Sequence, residues 1–157
     1  MKTIIYNADI ANEGRLTRGY IVIDDEIIAE VGEGEPAAAV MAECDVRNDV
    51  DGALVMPGVI DDQVHFRDPG LTHKADIATE SAAAVAGGAT SYMDMPNTVP
   101  PTVTIDALEA KNRRAQEVSV ANYGFFIGAT NDNLKTLMAV DYSYCLLYTS
   151  PSPRDTR

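Results

Sequence analysis

Residues 59–70 read "VIDDQVHFRDPG", and four polar residues of that stretch, Asp61, Gln63, His65 and Arg67, recur at every second position. In an extended strand, residues two apart share a face, so these four line up while Ile60, Val64 and Phe66 point the other way. A buried polar group without a partner costs roughly 1–3 kcal/mol, so such a face needs partners. An imidazole at a strand end is a natural metal ligand, and a carboxylate such as Asp61 can approach the metal or orient a ligand from behind. The same residues also fit a purely structural polar ladder, with His65 bonded to Asp61 and Arg67 paired with Asp68 or Asp62.

A second stretch, "SYMDMPNT" at residues 91–98, puts Asn97 after its strand in the position that Arg67 holds after the first. Arginine binds carboxylates through two parallel hydrogen bonds and an asparagine amide donates a further one, so the two together suit an anionic substrate held over a metal. Taken alone, Asn97 beside Pro96 also reads as a turn-capping amide. His73 and Lys74 lie beyond the turn "RDPG" and read as loop packing and as a solvated charge at a helix entry.

The elements that must carry these residues follow a rhythm. From Pro57 the chain alternates strand, loop and helix: "GVIDDQVHF", then "ADIATESAAAVAGG" stopped by Gly87-Gly88, then "ATSYMDM". After the Pro-rich loop "PNTVPPTV", Thr104 caps a helix with Ile105, Leu108, Ala115 and Val118 at helical spacing. "VANYGFFIG" is a third strand and "NDNLKTLMAV" a third helix. Three successive βα units predict a parallel sheet flanked by helices, either doubly wound or the start of a (β/α)8 barrel. No glycine-rich phosphate loop follows a strand, which disfavours the nucleotide-binding form. A barrel needs roughly 250 residues, so the expectation is an incomplete TIM-type α/β barrel of about three βα units. Before it, "TIIYNADI", the hairpin-like "GYIVIDDEIIAEVGEG" and the short helix "PAAAVMAE" predict a small β-rich unit. The expected division is 1–55, 56–141 and 142–157. The last segment contains "CLLYTSPSPRDTR", which continues no strand or helix period and looks like the translation of a transposase-type sequencing adapter.

The 157 residues carry 12 Lys and Arg against 24 Asp and Glu, a formal net charge of −12. That surface repels phosphate backbones and anionic membranes, which excludes nucleic acid and membrane surfaces as expected partners. The apolar run after Lys2 is too short for a signal-peptide core and the alanines of 82–86 are too few to span a bilayer, so the expected location is the cytoplasm. Cys44 and Cys145 have no ligand-like spacing and suggest no disulfide framework.

"PGVIDDQVHFRDPG" followed by "AAAVAGGATSYMDMPNT" resembles the cyclic amidohydrolases, and within them the dihydroorotases. Their usual pattern is P-G-x-I-D-x-H-x-H-x-R-x-P-G and later M-P-N-T. The resemblance extends over residues 1–141 and includes the small β-rich unit beside the barrel. It implies a zinc site of one or two ions with His65 as a ligand, a substrate-contacting set of His65, Arg67 and Asn97 with the last two on the carboxylate, and Asp61 at the acidic position of the motif. It also implies reversible, metal-dependent hydrolysis of dihydroorotate to N-carbamoyl-aspartate in pyrimidine synthesis, by an enzyme that could form homo-oligomers. The remaining ligands and the proton-transferring aspartate would belong to later strands, so the fragment by itself is expected to be inactive and poorly soluble. The departure is Gln63, which stands where the pattern has its first histidine. An amide oxygen is a weaker, neutral donor, so Gln63 either still binds the metal or marks a non-catalytic, scaffold-like relative. Allantoinase and dihydropyrimidinase are the other cyclic amidases that the pattern admits, and Arg67 favours a substrate with a carboxylate.

Overall fold

The computed structural model describes residues 1–142 and 145–148. The chain divides between Pro57 and Gly58 into two compact units.

In the first unit β1 (Lys2–Asn12) and β2 (Arg15–Asp24) form an antiparallel hairpin, and β3 (Ile27–Glu33) follows β2 through a second tight turn. Both turns use left-handed residues, Glu13-Gly14 in one and Asp25 in the other, which Gly and Asp tolerate better than bulkier residues. The helix α1 (Ala38–Glu43) leads into β4 (Val46–Asp49), and β4 and β5 (Leu54–Val55) both pair parallel to β1. The sheet order is β3-β2-β1-β4. Ile4, Tyr20, Val22 and Cys44 form its core with Tyr6, Val40 and Met41 packed on them. Cys44 is thus a core residue. The hairpin matches the sequence reading, whereas Ile27, Ile28 and Val31 are largely exposed on the outer strand.

The second unit contains β6 (Val59–Val64), α2 (Ile77–Ala86), β7 (Ala89–Asp94), α3 (Ile105–Val118), β8 (Asn122–Gly128), α4 (Leu134–Ala139) and β9 (Cys145–Tyr148). The four strands lie in the order β6-β7-β8-β9, all parallel. Helix α2 starts at Asp76, whose carboxylate accepts the Thr79 N–H at 2.8 Å while the Thr79 hydroxyl reaches back to the Asp76 N–H, a reciprocal cap. That backbone bond holds the Asp76 carboxyl below its ordinary range. Thr104 Oγ1 accepts the Ala107 N–H at the start of α3, as the sequence predicts. Phe66, Ile77, Tyr92, Leu108, Ala115, Phe125, Ile127 and Leu137 are buried together between sheet and helices. Among the described residues, no helix is long and apolar enough to cross a membrane.

Two expectations change. Cys145–Tyr148 is a fourth parallel strand, paired with Phe125–Gly128 of β8, although no strand period was expected after Ser143. Four residues are too short a run to show a period, and the open edge of β8 supplies the hydrogen bonds that define the strand. The adapter-like residues 149–157, with 143–144, lie outside the described residues. The second change concerns β6, which ends at Val64, so the strict alternation expected through Arg67 does not persist. As the outer strand of an open arc, β6 also leaves Ile60 62% exposed.

Candidate active site

The site is built at the carboxyl ends of β6 and β7, where main-chain bonds join the two strand ends. Met95 N–H donates to the Val64 carbonyl at 3.0 Å, and Phe66 N–H donates to Asp94 Oδ1 at 2.9 Å inside the core. The Phe66 ring packs on Tyr92 with centroids 4.5 Å apart. His65 and Arg67 flank this anchored residue. Arg67 has φ +67°, a left-handed conformation that costs a non-glycine residue roughly 1–2 kcal/mol and takes it out of the strand's alternation. The turn closes with Leu71 N–H on the Arg67 carbonyl, and Val99 N–H donates to the Pro69 carbonyl. Gly70, at φ +83°, lies so close to the second loop that a Cβ there would sit 1.8 Å from the Val99 carbonyl oxygen. Only glycine fits.

The side chains then meet across the two loops. His65 Nδ1 lies 2.8 Å from Asn97 Oδ1. An amide oxygen only accepts, so the proton sits on Nδ1 and the lone pair on Nε2. With its oxygen engaged, Asn97 retains both amide N–H donors for a ligand. The guanidinium of Arg67, half-buried, has no ion pair among the described residues, because Asp68 is taken by Arg114 at 3.3 Å. These pairings exclude the polar ladder: His65 bonds Asn97 rather than Asp61, and Arg67 pairs with neither Asp68 nor Asp62. Asp61 Oδ1 instead accepts the Gln63 N–H at 3.2 Å, beside an irregularity in the pairing of β6 with β7. Gln63 is exposed and its amide has no partner among the described residues. His73 and Lys74 are exposed in the turn before α2.

The buried charges beneath these loops were not anticipated. Asp94 and Lys111 are both essentially inaccessible and form an ion pair at 2.6 Å. Among the described residues Asp94 Oδ2 meets no aligned donor and is compensated by the ammonium charge, while Lys111 Nζ donates to the Met95 carbonyl at 3.0 Å. Burial pushes the Lys111 ammonium below its ordinary pKa, with Asp94 opposing that shift. A signal existed, since Lys111 falls between Leu108 and Ala115 on the apolar stripe of α3, where a lone lysine needs a buried partner.

Whether these residues suit a metal follows from the donors. The protonated Nδ1 of His65 leaves Nε2 with the lone pair that a metal ligand needs, oriented by a partner on the other ring nitrogen. Among the described residues, no group of three or more His, Cys, Asp or Glu side chains is gathered closely enough to hold an ion. The residues fit one edge of a metal site.

The dihydro-orotase-like family model matches residues 52–151. The chain belongs to the dihydroorotase-like family. It is 34% identical to a dihydroorotase of Lactobacillus acidophilus over 91% of its own length and 32% of that protein. It is 46% identical to an allantoinase of Deinococcus radiodurans over 57% of its length and 20% of that protein. Among solved structures it is similar to the L-hydantoinase (dihydropyrimidinase) of Arthrobacter aurescens, with a TM-score of 0.74, 29% identity, and coverage of 86% of this chain and 29% of the other. The chain therefore spans about a third of the length of the dihydroorotase and the hydantoinase. The four parallel strands and their helices are an incomplete TIM-type barrel, matching part of the hydantoinase barrels.

Proposed function

We propose that the protein to which these residues belong hydrolyses a cyclic amide bearing a carboxylate, dihydroorotate, reversibly to N-carbamoyl-aspartate. The observation that carries this reading is the strand-end arrangement in which His65 and Asn97 are bonded to each other while the Arg67 guanidinium has no ion pair among the described residues. An allantoin, hydantoin or dihydrouracil ring has no carboxylate to occupy that cation. A dihydroorotate ring does.

In this reading Arg67 binds the substrate carboxylate with two charge-assisted bonds and Asn97 adds an amide donor. His65 offers Nε2 to zinc, with Gln63 as the second, weaker candidate from this strand. A bound zinc would supply polarisation of the ring carbonyl and a water made acidic enough to attack at neutral pH. The left-handed backbone of Arg67 and the Gly70–Val99 approach hold the cation at a defined place over the strand end, so that the ring is oriented before reaction. Gln63 supports a second reading, in which the family member has lost a ligand and serves as a non-catalytic scaffold.

The test is a chimaera in which residues 1–142 replace the equivalent part of the Lactobacillus acidophilus dihydroorotase. Bound zinc and hydrolysis of dihydroorotate, allantoin and dihydrouracil are measured in a folded, monodisperse preparation. Turnover of dihydroorotate in preference to the neutral rings is expected. Zinc-free, inactive protein of normal circular dichroism would establish the scaffold reading instead.

A further inference from the structure

We propose that Lys111, in the middle of α3 and outside the strand-end site, is a positioning residue for His65, Arg67 and Asn97, acting through Asp94 and the Met95 carbonyl. The inference rests on the functional reading above for what those three residues do, though its geometry is independent of it.

The carboxylate of Asp94 has two oxygens with different duties. Oδ1 accepts the N–H of Phe66, the residue between His65 and Arg67. Oδ2 faces the Lys111 ammonium at 2.6 Å. Without that cation nothing draws Oδ2 away from the Phe66 side and the carboxylate is free to rotate, so Lys111 fixes which way Asp94 presents its acceptor. The same ammonium donates to the Met95 carbonyl, two residues before Asn97, and stands 5.0 Å over the Phe125 ring, which closes it off from below. One turn further along α3, Arg114 holds Asp68, the residue after Arg67. A single helix thus fastens Asp94, Met95 and Asp68, from which the backbone leads to all three strand-end residues.

Energetic reasoning favours placement over stability as the role. Buried ion pairs stabilise folds no better than well-packed apolar side chains of the same volume, so the fold alone gives no reason for charges at Asp94 and Lys111. A role in orientation does, because the ammonium draws Oδ2 to one side and so aims Oδ1 at the Phe66 N–H, which an apolar contact would not do.

The experiment compares Lys111→Met with the double variant Lys111→Met/Asp94→Leu in the chimaera. The double variant removes both buried charges, so its melting temperature should return close to that of the unsubstituted protein, yet it leaves the Phe66 N–H without an acceptor. The expected result is a KM for dihydroorotate raised by about 10–100-fold, the usual loss when a supporting partner behind a site is removed, in the double variant as well as in the single one. Faster hydrogen exchange at Phe66 and loss of the Nδ1-protonated signature of His65 in nitrogen NMR should accompany it. A double variant that regains stability and also regains KM, Phe66 protection and the His65 signature would overturn the proposal and leave the pair a structural one. Should Lys111→Met fail to fold, Lys111→Met/Asp94→Asn, which keeps an acceptor oxygen for the Phe66 N–H but removes both charges, decides: a raised KM and lost Phe66 protection support the proposal, and normal values overturn it. Should the unsubstituted chimaera not turn over dihydroorotate, the functional reading fails separately, and the Phe66 and His65 signals still decide this one.

Discussion

Replacing Asn97 by Asp separates the two jobs assigned to that amide. In the structure its oxygen accepts from His65 Nδ1 at 2.8 Å and its nitrogen has no partner among the described residues. An aspartate keeps the first contact, because a carboxylate accepts from the same N–H and does so more strongly. It abolishes the second, since the donor facing the substrate becomes an anion. The loss of one hydrogen bond to a charged group is about 1.5–3 kcal/mol. Repulsion between two carboxylates near 4 Å adds about 1 kcal/mol in a water-like environment and about 4 at an effective dielectric of 20. Asn97 is exposed, so the lower figure applies, and the sum is about 2.5–4 kcal/mol, or a KM for dihydroorotate raised by about 10²–10³. Steady-state kinetics of the chimaera on dihydroorotate and on dihydrouracil, which has no carboxylate, measure this directly. Zinc content should not change, and the neutral ring should lose less than about tenfold. An unchanged KM for dihydroorotate, or equal losses on both rings, would show that Asn97 does not face a substrate carboxylate.

Gln63→His restores the histidine of the family motif two residues before His65, and bound zinc per chain, counted by elemental analysis, should rise; unchanged zinc would mean that position 63 does not face the metal. Gly70→Ala forces a side chain into a left-handed residue, a cost of about 1–2 kcal/mol before any clash, and drives a methyl onto the Val99 carbonyl. A lower melting temperature together with a raised KM is expected, and a melt equal to that of the unsubstituted chimaera would show that the loops part without cost. Tyr92, 1% exposed, has its phenol pushed up to about 12 by burial. A raised folded-state value means that its contribution is fully present below the unfolded value of about 10 and is lost as pH rises from there toward 12. The loss approaches about 2.7 kcal/mol, two units at 1.36 each. Denaturation midpoints at pH 8 and pH 11 should converge in Tyr92→Phe relative to the unsubstituted protein, and an identical alkaline decline in both would assign it to other tyrosines.

How far the sequence carries depends on the range of the interactions involved. Thr104 as a cap, Gly87-Gly88 as a stop, and the alternation of β7, α3 and β8 are set by residues within a turn or two of one another, and all were legible. So was the family resemblance around His65, Arg67 and Asn97, which lies in two short, individually contiguous strings. β4 and β9 were not legible, because four-residue strands carry no period and exist by pairing with β1 and β8, which come from distant parts of the chain. The direction of the polar face was misjudged at its end, where an irregular pairing with β7 and the left-handed Arg67 interrupt the alternation.

The chain by itself therefore determined the two motif stretches that hold His65, Arg67 and Asn97 and the elements that bear them, because type and spacing are local properties. Only the tertiary structure decided their partners. His65 could have bonded Asp61 and Arg67 could have paired with Asp68. Asn97, 32 residues away, takes the first, and Arg114, 46 residues away, occupies the carboxylate of the second. The buried pair of Asp94 and Lys111 is of the same kind. A charge excluded from water takes the partner that folding brings within reach, and sequence separation says nothing about which one that is.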